Sequence, residues 1–296
     1  MDSLKILVPL LTSDENKQAD YFALAFRMLS EGYEKRVEPA PLSIGLYQEL
    51  YTIAGIRDPY ADIKRVSTKA ALKTLPTIDK IIAPLEGVDR FRACIAASIT
   101  GNVIDFNTAG HKPDLENLEE VFHNILTEGF AIDDSEQLWQ SLQARTGKLL
   151  FLADNAGEHI FDIPLLRLLK DLGWSVTFIV KGRAMVNDVT REEVRGTEIE
   201  NLADIAASGA WAHGVPLQMV SREFLQLVSD SDLVISKGQA NIETFPEIQQ
   251  ETNIETYYIT RAKCPHISQA IGARKGDSVI LRQPKGSTFA NSKSNK

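Results

Sequence analysis

From Lys148 onward the apolar residues change their spacing, and this change constrains the fold more than any other feature of the chain. Short apolar runs at 149–153, 176–180, 217–220, 233–236 and 257–260 alternate with amphipathic stretches at 163–171, 198–208, 221–228 and 242–249. A continuous apolar run bounded by polar residues suits a strand buried on both faces. Strands separated by helices imply βαβ units, hence a parallel sheet with helices on both sides. Residues 278–281 add an expected edge strand.

The first half has a helical period instead. Tyr21, Phe22, Ala25, Phe26 and Leu29 share one helix face, as do Leu42, Leu46, Leu50 and Ile53. Leu115, Leu118, Phe122, Ile125 and Leu126 give a third helix, with Asp114 as its expected N-cap, and 136–144 a fourth. The expected class is therefore α/β: a Rossmann-like, doubly wound, mostly parallel sheet with an N-terminal α-helical domain. The division falls near Thr146-Gly147. Residues 1–146 form a helical cap domain, 147–284 the α/β domain, and 285–296 a polar tail with the composition of a disordered segment.

At 296 residues and 44% hydrophobic content the chain can bury a sizeable core. Its formal charge of −8, from 32 Lys plus Arg against 40 Asp plus Glu, argues against a nucleic-acid partner. A phosphorylated ligand would need local cations or a metal. Cys94 and Cys264 make no disulfide framework, which favours a reducing, cytoplasmic compartment. No run approaches the ~20 apolar residues of a membrane span, so no membrane partner is expected.

Chemistry-bearing residues gather at expected strand ends, where ligands bind in open α/β sheets. Asp154-Asn155-Ala156-Gly157-Glu158 follows the first run and precedes a helical pattern. A carboxylate beside an amide oxygen suits a hard divalent cation; the bland alternative is an N-cap and turn. Asn187-Asp188-Val189-Thr190 lies beyond the second run, and Asp188 is either a further ligand or a helix cap. Ser236-Lys237-Gly238-Gln239-Ala240-Asn241 follows the run at 233–236. A lysine at a strand end before a helix start suits a phosphate oxyanion, although the spacing is not that of a Walker loop. In the helical half, Gly101-Asn102-Val103-Ile104-Asp105 reads as a bend from which Asn102 or Asp105 can close over the site. The five histidines are scattered, and the C-x-x-C, G-x-S-x-G and G-x-G-x-x-G patterns are missing.

These segments together resemble the DUF89 family of metal-dependent damage-control phosphatases. The resemblance extends through Lys181-Gly182 and Ala262-Lys263-Cys264-Pro265, and in the helical half through Asp58-Pro59-Tyr60 with Lys64. It runs in order from about residue 42 to 282. It implies a helical N-terminal part, a Rossmann-like C-terminal domain, and a divalent metal (Mg²⁺, Mn²⁺, Co²⁺ or Ni²⁺) held by Asp154, Asn155 and Asp188. It also implies phosphate contacts from Lys237 and Asn241, and hydrolysis of small phosphorylated metabolites such as sugar phosphates or phosphopantetheine-like compounds. The Cys-x-x-Cys pair common near the amino terminus of stand-alone members is missing from residues 1–33.

The expected activity is a metal-dependent phosphomonoesterase. Asp154, Asn155 and Asp188 hold the metal, with Asp154, Glu158 and Asp188 as catalytic candidates. Asn102, Lys237, Gly238 and Asn241 bind substrate or phosphate. Direct attack by water is favoured over an aspartyl-phosphate, because residue 156 is Ala and the Asp-x-Asp pairing is missing. The alternatives are a carboxyl methyltransferase using S-adenosylmethionine and a protein that binds phosphometabolites without turnover.

Overall fold

A computed structural model describes residues 2–104 and 117–287. Asp105, His111, Asp114 and the tail from 288 lie outside the described residues. Helices α1 (Asp2–Leu11), α2 (Glu15–Glu34), α3 (Pro39–Ala54), α4 (Ala61–Ile82) and α5 (Gly87–Thr100) come first. They are followed by α6 (Leu118–Glu128), strand β1 (Ile132–Asp133), α7 (Ser135–Ala144) and β2 (Lys148–Leu152). Next come α8 (Glu158–Phe161), α9 (Ile163–Asp171), β3 (Ser175–Val180), α10 (Arg191–Val194), α11 (Ile199–Leu202) and β4 (Asp204–Ala207). The chain continues with α12 (Arg222–Ser229), β5 (Leu233–Lys237), α13 (Gln239–Thr252), β6 (Thr256–Arg261), α14 (Pro265–Ile271) and β7 (Ser278–Gln283).

The sheet has the order β1-β7-β6-β5-β2-β3-β4. Strands β6, β5, β2, β3 and β4 are parallel, whereas β7 is antiparallel to β6 and parallel to β1. Alternation along the strands divides the apolar residues between two layers. Leu149, Phe151, Phe178, Leu233 and Ile235 pack with Phe91 and Ile95 of α5 and Leu165 and Leu169 of α9. Leu150, Leu152, Ile179 and Val234 pack on the other face with Phe224 of α12 and Ile242 and Phe245 of α13. Both faces are covered, as the continuous apolar runs require.

Strand order reverses between β2 and β5, so a crevice opens beyond their carboxyl ends. Over this edge lie α1, α2 and α3. Leu7, Leu50 and Tyr51 pack on Met185, Val186, Ala210 and Ala212, which belong to the segments following β3 and β4. This third cluster roofs the crevice.

Several expectations need correction. Residues 217–220 are not a strand; they hold a 3₁₀ turn, Leu217–Met219, behind Pro216. The fourth strand is Asp204–Ala207, within a segment expected to be helical. It pairs only with β3 and is half-exposed, so its alternation is faint. Strand β7 is not an edge: it lies between β6 and β1. It extends through the buried Gln283, whose backbone oxygen accepts from Gln249 Nε2. Core packing runs across residue 146. The largest core cluster mixes Ala71, Phe91, Phe122 and Trp139 with β2, β3, β5 and β6, and β1 joins the sheet from the first half.

Candidate active site

After β2 the chain leaves the sheet but stays paired with the segment that follows β3. Ala156 N–H donates to Asn187 O at 2.8 Å, and Val189 N–H donates to Asp154 O at 3.0 Å. Asn155 and Asp188 form an isolated antiparallel bridge between them. This short backbone zipper brings together two motifs that are some 30 residues apart in sequence. Asp154, Asn155, Asn187 and Asp188 line one side of a pocket of about 440 Å³. Pro39, Ala40 and Ser43 of α3 line another side, as do Gln239, Ala240 and Glu243 of α13. Asn102, His213, Lys263 and Cys264 complete the wall.

The carboxylates are electrostatically loaded. Burial raises Asp154 well above the usual carboxylate range; the charges of Glu158 and Asp188 add to this, and Lys263 and Lys181 offset it. Burial also raises Asp188, against Lys181, His213 and Lys64. Lys181 Nζ stands 3.5 Å from Asp188 Oδ2, a long ionic contact, and no donor reaches this oxygen in good hydrogen-bond geometry. The Lys181 ammonium donates instead to Gly214 O at 3.0 Å and Asn241 Oδ1 at 3.4 Å. A buried acceptor left without a donor is costly unless something else satisfies it.

Asn155 Nδ2 donates to Asp154 Oδ2 at 3.0 Å and to Glu158 Oε2 at 3.4 Å. The amide nitrogen is thus committed to the protein, which leaves Oδ1 as the end that could hold a cation. Two carboxylates and an amide oxygen are hard donors suited to Mg²⁺ or Mn²⁺, which keep several waters. Among the described residues no group of three His, Cys, Asp or Glu side chains is arranged to hold a metal; the Asn155 amide is a further oxygen donor beside the two carboxylates. The set fits the cation: it would neutralise two like charges held close in a buried site and satisfy the orphaned Asp188 oxygen.

Glu158 and Lys237 stand behind this floor. Lys237 is fully buried, and its Nζ donates to Glu158 Oε1 at 2.7 Å, Asp162 Oδ1 at 2.9 Å and Ser98 O at 3.1 Å. An ammonium has three N–H donors, and all three are engaged. Burial alone would push Lys237 down, but Asp162 and Glu158 together outweigh it and hold the ammonium up. The expected phosphate contact by Lys237 is therefore not what the geometry offers. Its parity explains the difference: Leu233, Ile235 and Lys237 alternate together, and the first two face α5 and α9. Glu158 is fully buried, with Oε1 also accepting from Asn102 Nδ2 at 2.5 Å. Its carboxylate orients Asn155 and Asn102 and does not line the pocket.

The other expected residues divide similarly. Asn102 lines the pocket, and its Oδ1 accepts from Arg261 N–H at 3.1 Å. Gly101 lets it approach, since a Cβ there would meet Glu158 Cα at 2.6 Å. Gly238 has φ +82°, and a Cβ on it would enter the Asp154 carboxylate. Asn241 is buried below the pocket, donating to Ala153 O and Lys237 O, and so ties β2 to β5. His159 is buried with its Nδ1 accepting from Gly157 N–H at 3.0 Å and its Nε2 beside Glu193 O at 3.1 Å. Burial lowers it to about 4, so the ring is neutral.

Lys263 and Gln239, which the sequence motifs contain without a role of their own, line the pocket together with His213. Gln239 Oε1 accepts from the N–H groups of Lys263 and Cys264, tying α13 to the segment after β6. Lys263 lies two residues beyond β6, as Asp154 lies two beyond β2, and that shared position is the signal that could have found it.

A family model described as the damage-control phosphatase ARMT1-like domain matches residues 4–279. A damage-control phosphatase of Pyrococcus horikoshii is 31% identical over 277 residues, covering 93% of this chain and 92% of that protein. An uncharacterized protein of Methanocaldococcus jannaschii is 31% identical over 274 residues, covering 92% and 89%. The crystal structure of a DUF89 family protein from Pyrococcus horikoshii superimposes with a TM-score of 0.79, at 31% identity and 93% coverage of both chains. The match spans the roofing helices and the sheet alike, and with them the strand ends that line the pocket: the chain belongs to the DUF89 family of damage-control phosphatases, with an ARMT1-like domain.

Proposed function

We propose that this protein is a metal-dependent phosphomonoesterase acting on small phosphorylated metabolites, with sugar phosphates and phosphopantetheine-like compounds as the candidate substrates. The observation that carries this reading is the floor of the pocket. Two buried, mutually repelling carboxylates, Asp154 and Asp188, stand there with an orphaned oxygen, at the point where strand order reverses. Damage-control phosphatases among the relatives support the same reading. A bound divalent cation would supply Lewis acidity to a phosphoryl oxygen and to the attacking water.

The chain's own residues do the rest. Asp154, Asn155 and Asp188 present the oxygen donors, and Glu158 fixes the Asn155 amide so that its oxygen is the ligating end. Lys181 and Lys263 offset the charge of Asp154, and Lys263, which lines the pocket, would offset that of a phosphate. The first turn of α13, lined by Gln239 and Ala240, turns the positive end of its dipole toward the pocket. Asn102, held by Glu158 and Arg261, presents a fixed polar edge to the leaving group. The Lys237 ammonium holds the Glu158 and Asp162 carboxylates in place. Among the described residues no helix is long and apolar enough to cross a membrane.

The test is phosphate release from p-nitrophenyl phosphate and a panel of sugar phosphates, in EDTA and then with each divalent metal, for wild type and Asp154→Ala. Release restored by metal in wild type and lost in the variant is expected. Release that persists in EDTA, or that Asp154→Ala retains, refutes the site.

A further inference from the structure

Asp188 is held by a turn that its own sequence does not favour. Its N–H donates to Met185 O at 3.1 Å, closing a turn with Val186 and Asn187 at the centre. Val186 has φ +49°, whereas Asn187 is outside the left-handed region. A positive φ at the first central residue alone is the type II′ pattern, whose usual occupant there is glycine. For a β-branched residue this conformation is strained. The other non-glycine residues with positive φ among those described, Arg36 and Asn253, follow the ends of α2 and α13, where a left-handed residue is ordinary. Val186 is the one placed two residues before a proposed metal ligand.

Helix α3 holds this turn. Val186 N–H donates to Tyr51 Oη at 3.1 Å, and both side chains are buried in the cluster formed by α1, α2 and α3. Along one face of α3, Ala40 and Ser43 line the pocket. Tyr47 meets the His213 ring edge-on at 5.3 Å, and Tyr51 reaches Val186. One helix face thus spans from the pocket wall to the turn that carries Asp188.

We infer that Tyr51 is a positioning residue: its hydroxyl pins the strained Val186 turn and so fixes the Asp188 carboxylate against Asp154 and Asn155. This rests on the metal reading above. Residues that orient ligands change metal affinity without touching the metal, by about 10–100-fold.

The experiment uses the metal-free full chain, titrated calorimetrically with Mn²⁺, together with amide hydrogen exchange at Asp188 in EDTA. Tyr51→Phe removes the acceptor and keeps the ring. Tyr258→Phe is the matched control: Tyr258 is buried on the other face of the sheet and donates to Gln249 Oε1 at 3.1 Å. Tyr51→Phe is expected to weaken Mn²⁺ binding about tenfold and to speed Asp188 exchange, while Tyr258→Phe lowers Tm with no change in either. In a Val186→Gly background, where the turn is unstrained, Tyr51→Phe is expected to weaken Mn²⁺ by less than about threefold; this pair also covers the case in which Tyr51→Phe alone does not fold. Wild-type Mn²⁺ affinity and Asp188 exchange in Tyr51→Phe, with only Tm lowered, would overturn the inference and leave the metal reading standing. No Mn²⁺ binding by wild type would overturn both.

Discussion

Replacing Lys237 by Met separates a buried support from a phosphate contact. The substitution keeps the apolar stem to about the Cε position and deletes the ammonium. It leaves Glu158 and Asp162, both fully buried, without the ammonium now 2.7 and 2.9 Å away. Breaking a buried ion pair from one side costs about 3–5 kcal/mol, because the partner's charge stays desolvated. With an unfolding entropy of about 2.1 cal/mol/K per residue over 296 residues, 4 kcal/mol corresponds to a fall in Tm of roughly 6–7 °C. Differential scanning calorimetry in EDTA measures this directly. Adding Glu158→Gln removes one of the stranded charges and is expected to restore roughly half of the loss. Below its Tm, Lys237→Met should keep KM for a phosphate ester within about twofold of wild type, with the defect in kcat. An unchanged Tm together with a KM raised tenfold or more would refute the reasoning and return Lys237 to the phosphate.

Lys263→Met is the complementary case: loss of a charge-assisted contact worth about 1.5–3 kcal/mol should raise KM about 10–100-fold with Tm unchanged, read by steady-state phosphate release. His159 titrates at about 4 in the fold against 6.5 when free, so its contribution is complete above pH 6.5 and is lost as pH falls toward 4. Relative to His159→Asn, wild type should lose up to about 3 kcal/mol over that window, measured by urea unfolding at a series of pH values; parallel pH profiles would contradict it. Gly238→Ala should cost about 1–3 kcal/mol from the left-handed backbone and, by displacing the Asp154 carboxylate, weaken Mn²⁺ binding measured by calorimetry.

The parts of the fold legible in the sequence were those with a strong period. The runs around Phe151, Phe178, Ile235 and Tyr258 are strands because both faces of the sheet are covered. Asp154, Asn155 and Asp188 were legible because carboxyl ends of adjacent parallel strands converge. Strand β4 was hidden because Asp204-Ile205-Ala206-Ala207 sits half-exposed at an edge, where little burial marks an alternation. Helix α5 was hidden for the opposite reason. Cys94 through Thr100 are all buried, so no polar face shows the period. Direction is harder to read than position: Lys237 stands at the expected strand end, but it shares the parity of Leu233 and Ile235, and its ammonium meets Ser98, Glu158 and Asp162. The antiparallel placement of β7 could not be read from any local pattern, since it depends on β1 being there to receive it.

That placement has a consequence for how the chain is made. Ile132 pairs with Val279, and Arg282 N–H donates to Asp134 Oδ2 across 148 residues. During synthesis at about 5–20 residues per second, β1 waits on the order of 10–30 s for the strand that completes its ladder. Until then the growing polypeptide exposes two unfinished borders, on β1 and on β6, and β7 closes both in a single insertion. The helices made first must therefore shelter an open sheet on the ribosome, and a chaperone would find its target there, at the gap, and not at the site of chemistry.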